Sequence, residues 1–226
     1  AGESEVKYVF SRHLGSQLAL WLSRRCIPDG EYPYGTVSSV YYDTPWWHLL
    51  REKLNSDYLK TKYRVRWYSD LEGNHPGPCG WLEAKRKIGS SRFKTRVRIN
   101  VSGERLRAES LESQFWHSLS QKIAEMGETL PGPLLPVFEI SYQRLRFIEP
   151  TTGTRICLDN HISTPRVNRL VLSVPTPIEL EEGVFEVKGR SNVLPKYLRQ
   201  LSAMGCRKRS FSKYLDCYVR LNNAIL

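Results

Sequence analysis

The sequence predicts an α+β fold: eight strands rolled into a short closed barrel, with amphipathic helices packed on its outside. Two observations predict it. Five or six segments alternate Lys or Arg with apolar residues at a period of two, so each reads as a strand with one charged and one apolar face. Between them lie segments with apolar residues at helical spacing, able to cover the apolar faces from outside and leave the charged faces to line the interior. A strand of eight residues is roughly 26 Å long, so the closed form would be a short tunnel. An open sheet with a broad basic face is the alternative.

The elements follow in order. A strand over about 3–10 leads to a helix near 16–25, with Ser16 as N-cap and Leu18, Trp21 and Leu22 on its apolar side. T-V-S-S-V-Y-Y-D-T-P is a strand stopped at Pro45, where Thr44 and Pro45 open a helix through W-W-H-L-L-R-E-K-L. Asp43 reads as a turn or cap residue. Strands follow over 58–68, 81–87 and 93–101, the last two split by the turn-prone I-G-S-S-R. One helix is expected over 104–126, from Leu111, Phe115, Leu119 and Ile123 at four-residue spacing, and it ends at Gly127. The loop L-P-G-P-L-L-P separates two halves of similar style, yet neither has enough strands to close a core, so residues 1–226 read as a single domain. Strands over 137–148, 155–159 and 184–188 and a helix over 192–204 complete the chain, before R-K-R-S-F-S-K-Y.

Composition restricts the partners. Lys and Arg number 34 against 23 Asp and Glu, a net charge of +11, which points to an anionic ligand. No run of about 18 apolar residues exists to span a membrane. The five cysteines are scattered without C-x-x-C, the pattern of reduced thiols in a cytoplasmic protein. The five histidines lack zinc spacing.

The charged faces carry the chemistry. K-T-K-Y-R-V-R-W-Y aligns Lys60, Lys62, Arg64 and Arg66 opposite Tyr63, Val65 and Trp67. One such strand is ordinarily a solvated basic face. Here the pattern recurs, with Glu83, Lys85 and Lys87; Lys94, Arg96 and Arg98; Tyr142, Arg144 and Arg146; and Glu186 with Lys188. The glutamates discriminate. A carboxylate about 4 Å from a phosphate charge is repelled by around 4 kcal/mol at an effective dielectric near 20, so nucleic-acid faces tend to avoid them. Hard divalent cations need carboxylate oxygens and bridge to phosphate. Sparse glutamates on a basic face therefore suit metal and polyphosphate, with Glu3 and Glu5 holding metal and Lys7 holding phosphate.

E-S-E-V-K at the start resembles the E-x-E-x-K signature of the triphosphate tunnel metalloenzymes. The ordered set S-V-Y-Y-D-T-P, R-V-R-W-Y, L-E-A-K-R-K, K-T-R, Y-Q-R, F-E-V-K and S-K-Y is more specific, and resembles the polyphosphate polymerase (VTC) branch of that superfamily over nearly the whole chain. The resemblance implies an eight-stranded antiparallel tunnel barrel that makes inorganic polyphosphate from ATP with a divalent metal, Mn²⁺ or Mg²⁺. Carried over residue by residue, Lys7, Arg64, Arg66, Lys85, Arg144 and Glu186 would be catalytic. Lys62, Lys94, Arg96, Lys188, Ser212 and Lys213 would bind substrate, and Glu186, Glu5 and Glu3 would hold metal. The chain departs from the pattern at Ser210, where relatives are basic; Lys208 and Arg209 adjoin it.

ATP and polyphosphate or tripolyphosphate are the implied ligands, with no specific nucleic acid and with room for a membrane-protein partner outside this chain. No G-x-x-x-x-G-K-[ST], G-x-G-x-x-G or G-x-S-x-G competes. A polyphosphate end is already anionic and needs little base catalysis, whereas water would need a base such as Glu3 or Glu5. Hydrolysis of tripolyphosphate or nucleoside triphosphates, and non-catalytic binding of polyphosphate, inositol phosphates or RNA, are the alternatives.

Overall fold

The computed structural model describes residues 4–55, 58–89, 91–189 and 195–223, with Ser4 described by its backbone. Its first half runs β1 (Ser4–Ser11), α1 (Gly15–Ser23), β2 (Ile27–Pro28), β3 (Tyr34–Asp43), α2 (His48–Leu54), β4 (Leu59–Ser69), β5 (Gly80–Ile88) and β6 (Ser91–Ile99). Then come α3 (Gly103–Ala108), α4 (Gln114–Glu125), β7 (Leu135–Ile148), β8 (Arg155–Thr164), β9 (Ile178–Glu179), β10 (Glu182–Gly189), β11 (Arg207–Lys208) and α5 (Lys213–Asn223).

All strand pairs are antiparallel, in the order β11-β1-β10-β8-β7-β3-β4-β5-β6, with β2 on β7 and β9 on β8. Strands from both sides of the L-P-G-P-L-L-P segment interleave in this one sheet. The expected closed eight-stranded barrel is corrected here. The sheet has eleven strands, and among the described residues no ladder joins β6 to β1. The edge of β1 is taken at Tyr8 and Val9 by β11 instead, and β6 ends the strand order among the described residues. The sheet nevertheless rolls until Glu5 on β1 comes within 3.9 Å of Lys85 on β5 and 3.6 Å of Arg92 on β6.

Period-two alternation explains the layers. The outer apolar face of β3, β4 and β5 (Tyr42, Tyr63, Val65, Trp67, Leu82) is covered by Leu106 of α3 and by Trp116, Leu119 and Ile123 of α4. On the other flank, Tyr8, Phe10, Ile156, Leu158 and Phe185 are covered by Leu18 and Leu22 of α1 and by Leu198 and Leu201 of a 3-10 turn at Lys196–Leu201. Phe10 lies opposite Gly183, where a Cβ would come within 2.3 Å of its ring, so glycine lets β1 and β10 pair there.

The concave face is not uniformly charged. Val9 shares it with Lys7, and Val184 with Glu186, and both join an apolar cluster with Phe138, Ile140 and three α5 residues, Tyr214, Cys217 and Leu221. The Tyr214 ring stacks between Tyr41 and Phe138, at 4.9 Å and 5.2 Å. Burying such a side chain stabilises by about 1.5–3 kcal/mol. Helix α5 therefore fills one end of the roll.

Helix boundaries differ from expectation for local reasons. The helix expected over 104–126 is two. Glu109, at φ −69° and ψ 127°, leaves helical geometry, and Arg166 donates to the carbonyls of Leu106 and Glu109 at 2.5 and 2.6 Å, satisfying the end of α3. The helix expected over 192–204 is, in its described part, only the 3-10 turn that begins after Pro195, which lacks the N–H a longer helix needs. Ser16 lies inside α1, whose cap position is Leu14. Helix α2 starts at His48 with Trp47 at its cap position, rather than with Thr44 as cap and Pro45 as first residue, while Asp43 accepts from the N–H groups of Thr44, Leu49 and Leu50.

Candidate functional site

The charged half of the concave face encloses a cavity of about 1380 Å³. A smaller space of about 710 Å³ opens from it and shares Glu5, Lys7, Lys62, Lys85, Arg92 and Ser212. Arg64 and Arg66 reach the cavity from β4, Arg144 from β7, Lys7 from β1, Glu186 and Lys188 from β10, and Lys213 from the first turn of α5. The positive end of the α5 dipole lies at that turn.

Four carboxylates organise these cations. Glu83 of β5, 2% exposed, receives Arg64 Nη2 at 2.6 Å and Nε at 2.8 Å, Lys94 at 3.0 Å, Arg96 at 3.3 Å and Arg66 at 3.8 Å. Asp159 of β8, fully buried, holds Arg144 through two bonds of 2.6 and 2.7 Å and Lys213 at 2.5 Å. Glu186 is surrounded by Lys7, Lys188 and Lys213 at 3.4 Å and by Arg144 at 3.5 Å. Glu5 lies 3.2 Å from Lys7. The guanidiniums are thereby held in fixed forks, the geometry that matches phosphate oxygens. Arg66 also donates to Ser39 Oγ at 3.0 Å and Tyr142 Oη at 3.3 Å.

Charge and burial compete in the ionisations. Burial opposes the charged form of Glu83, but Arg64, Arg66 and Lys94 overcome it and hold the carboxyl far below the usual range. Glu186 is lowered in the same way against its burial, by Lys213, Lys7, Arg144 and Lys188. Asp159 is lowered against burial by Arg144 and Lys213, and Glu5 against burial by Lys7. Lys62 goes the other way: burial, then Lys7, Arg64 and Lys85, push its ammonium well below the usual lysine value. Its Nζ donates to Ser212 Oγ at 2.8 Å.

The structure thus gathers Lys7, Lys62, Arg64, Arg66, Lys85, Lys94, Arg144, Glu186, Lys188, Ser212, Lys213 and Glu5 around one cavity. Arg96 reaches the same network through Glu83 and lies over the Trp81 ring at 3.7 Å. Glu3 lies outside the described residues. Sequence reasoning did not assign two organising groups, Glu83 and Asp159. Glu83 was visible on a charged face, and Asp159 closes the odd-numbered register Arg155, Cys157, Asp159 that lines β8. Tyr142, on the strand face of Arg144, packs in the apolar cluster, and its hydroxyl also meets Arg66. Beside Ser210, the ammonium of Lys53 from α2 lies 3.4 Å from the hydroxyl, so a cation reaches this position from another element.

No three His, Cys, Asp or Glu side chains gather as a metal cluster among the described residues. Glu5 and Glu186 do converge on Lys7, at 3.2 and 3.4 Å. Two carboxylates meeting at one cation are oxygen donors of the kind a hard divalent ion takes.

The model of the VTC domain family matches residues 3–222. No curated protein sequence matches the chain. Among solved structures, a candidate adenylate cyclase from Bacillus halodurans is similar over 94% of this chain and 96% of its own, at 16% identity and a TM-score of 0.56. A candidate adenylate cyclase from Vibrio parahaemolyticus aligns over 98% of each chain, at 12% identity and a TM-score of 0.47. The first likeness speaks to the fold alone.

Proposed function

The chain belongs to the VTC domain family, and from that premise we propose that it is an ATP-dependent polyphosphate polymerase. The observation that carries this reading is the convergence of Arg64, Arg66, Arg144, Lys7, Lys188 and Lys213 on one cavity with Glu186 in their midst. The triphosphate of ATP lies among the arginine forks, with lysines as point charges. The bond from the γ-phosphorus to the β-bridging oxygen breaks and ADP leaves with that oxygen. A terminal oxygen of the growing chain forms the new P–O bond. Phosphoryl transfer of this kind depends on alignment and on stabilising charge on the transferring group, which fixed cations supply without reorganising.

Glu186 and Glu5 would hold a Mn²⁺ or Mg²⁺ ion, which would supply positive charge to offset that of the phosphates. Glu5 also bears on the choice of acceptor. Its lowered carboxyl pKa makes it a weak base for activating water, which favours an acceptor that is already anionic over hydrolysis.

The test is to incubate the protein with ATP and Mn²⁺ or Mg²⁺ and resolve the phosphate products by length. A ladder of lengthening chains with ADP is expected. ADP and orthophosphate alone would make it a triphosphatase, and unchanged ATP that still binds would make it a polyanion-binding module.

A further inference from the structure

The smaller space differs from the main cavity in its chemistry. It is lined by seven lysines and two arginines against one carboxylate, Glu5. In the main cavity the cations are balanced by Glu83, Asp159 and Glu186. Here Lys60 and Lys87 face each other directly across β4 and β5, and among the described residues neither has a carboxylate within 4 Å. Like charges directly opposite on a sheet are unfavourable unless an anion joins them.

The rim of this mouth is apolar. One residue from Lys60 and Lys87, on the opposite face, Leu59 and Ile88 form the last pair of the ladder, 43% and 37% exposed. Tyr58 accepts the Gly89 N–H at its carbonyl and is 73% exposed, and Leu54, next to Lys53, is 53% exposed. A tip of Leu, Tyr and Ile beside Lys60 and Lys87 combines the two features that hold a peripheral protein at an anionic bilayer: apolar groups at the acyl boundary and ammonium groups on flexible stems at the headgroups. An acidic protein would be the rival, but protein interfaces are depleted in lysine and enriched in arginine, the reverse of this mouth.

We propose that this end of the molecule docks on an anionic membrane surface, with Leu54, Tyr58, Leu59 and Ile88 at the bilayer boundary and Lys53, Lys60, Lys87 and Lys208 on the headgroups. The docked mouth then opens onto the bilayer. Attachment does not depend on the reaction proposed above, and each can fail without the other.

The probe is sedimentation with vesicles of phosphatidylcholine alone or mixed with phosphatidylserine, at several salt concentrations. Binding is expected to the mixed vesicles only. Lys60→Glu with Lys87→Glu should lower partitioning about tenfold or more, given the attraction of each basic residue to an anionic surface. Arg24→Glu with Lys122→Glu, the same charge change at exposed sites just after α1 and on α4, should lower it far less. Equal losses in the two double variants would reduce the effect to bulk attraction and overturn the proposal. Tyr58→Trp supplies a depth readout: quenching by brominated lipid is expected, and an unquenched emission on bound vesicles would overturn insertion of the rim. Capture by polyglutamate with no vesicle binding would assign the face to an acidic protein instead. Tyr58→Ser with Leu59→Ser should lose vesicle binding while tripolyphosphate binding, measured without vesicles, is unchanged. Loss of both in a protein that has lost its thermal transition reports unfolding, and Lys60→Glu with Lys87→Glu then decides.

Discussion

Lys62 meets the Ser212 hydroxyl but, among the described residues, no carboxylate. Its pKa is lowered by burial and by neighbouring cations, so a phosphate arriving beside it restores the charged form. Tripolyphosphate binding should therefore take up protons above the folded-state pKa of Lys62 and weaken as pH rises through it. Calorimetry in buffers of different ionisation enthalpy checks this, and Lys62→Met should abolish the uptake and weaken binding by about 10–100-fold, the value of one charged hydrogen bond. Glu83 poses the opposite problem, since it is the anion beneath four cations. Glu83→Gln should cost about 3–5 kcal/mol of stability, as removal of one member of a buried charge cluster does. Added tripolyphosphate should recover more melting temperature in that variant than in the parent, because its charge replaces the lost one. Glu83, Asp159, Glu186 and Glu5 all have lowered carboxyl pKa values. Their stabilisation is present above the unfolded-state values of 4.5 for Glu and 3.8 for Asp, and is lost as pH falls through the lower folded-state values. Acid melting curves should show this loss below about pH 4.5, and a flat stability there would contradict the network.

At the scale of elements, α5 couples packing to binding. Its Tyr214 stacks between Tyr41 and Phe138 and donates to Asp43 Oδ2 at 2.7 Å, while Ser212 and Lys213 at its start face the cavity. Tyr214→Ala should cost about 3–5 kcal/mol in denaturant titration. In the fraction that remains folded it should also weaken tripolyphosphate binding, although the residue itself touches no ligand. The strands that carry charge were legible because period two gives both the element and the face, as in Lys60, Lys62, Arg64 and Arg66. No element is expected from the sequence over α5, although Tyr214, Cys217, Tyr218 and Leu221 repeat at helical spacing; the basic run before it obscures that period. The break between α3 and α4 depends on Arg166, which lies 57 residues beyond Glu109 and comes beside it only in the fold. The organising roles of Glu83 and Asp159 were hidden for a similar reason, although Glu83 itself stood on a charged face. A carboxylate is recognised as an organiser only when the cations from other strands are seen around it.

For the whole molecule, a charge of +11 attracts any polyanion, and only the shape of the interior can discriminate. Tripolyphosphate and long polyphosphate should compete ATP away, whereas oligonucleotides at equal phosphate concentration should compete poorly and lose what affinity they have as salt rises. Equal competition by RNA would mean that the concave face admits a sugar–phosphate backbone. That no ladder joins β1 to β6 among the described residues has a topological consequence. A ring closed by backbone hydrogen bonds can be entered only by a free end, but here β1 meets β5 and β6 through side chains, Glu5 with Lys85 and Arg92. Such a clasp parts without breaking the sheet, so a linear polymer can be laid in sideways and lifted out again. Polyphosphate capped at both ends with groups too wide for the bore should therefore still bind, and its release should quicken with salt as the clasp is screened. In a sealed ring the same molecule would be shut out, and a chain once threaded could leave only by running off its own end.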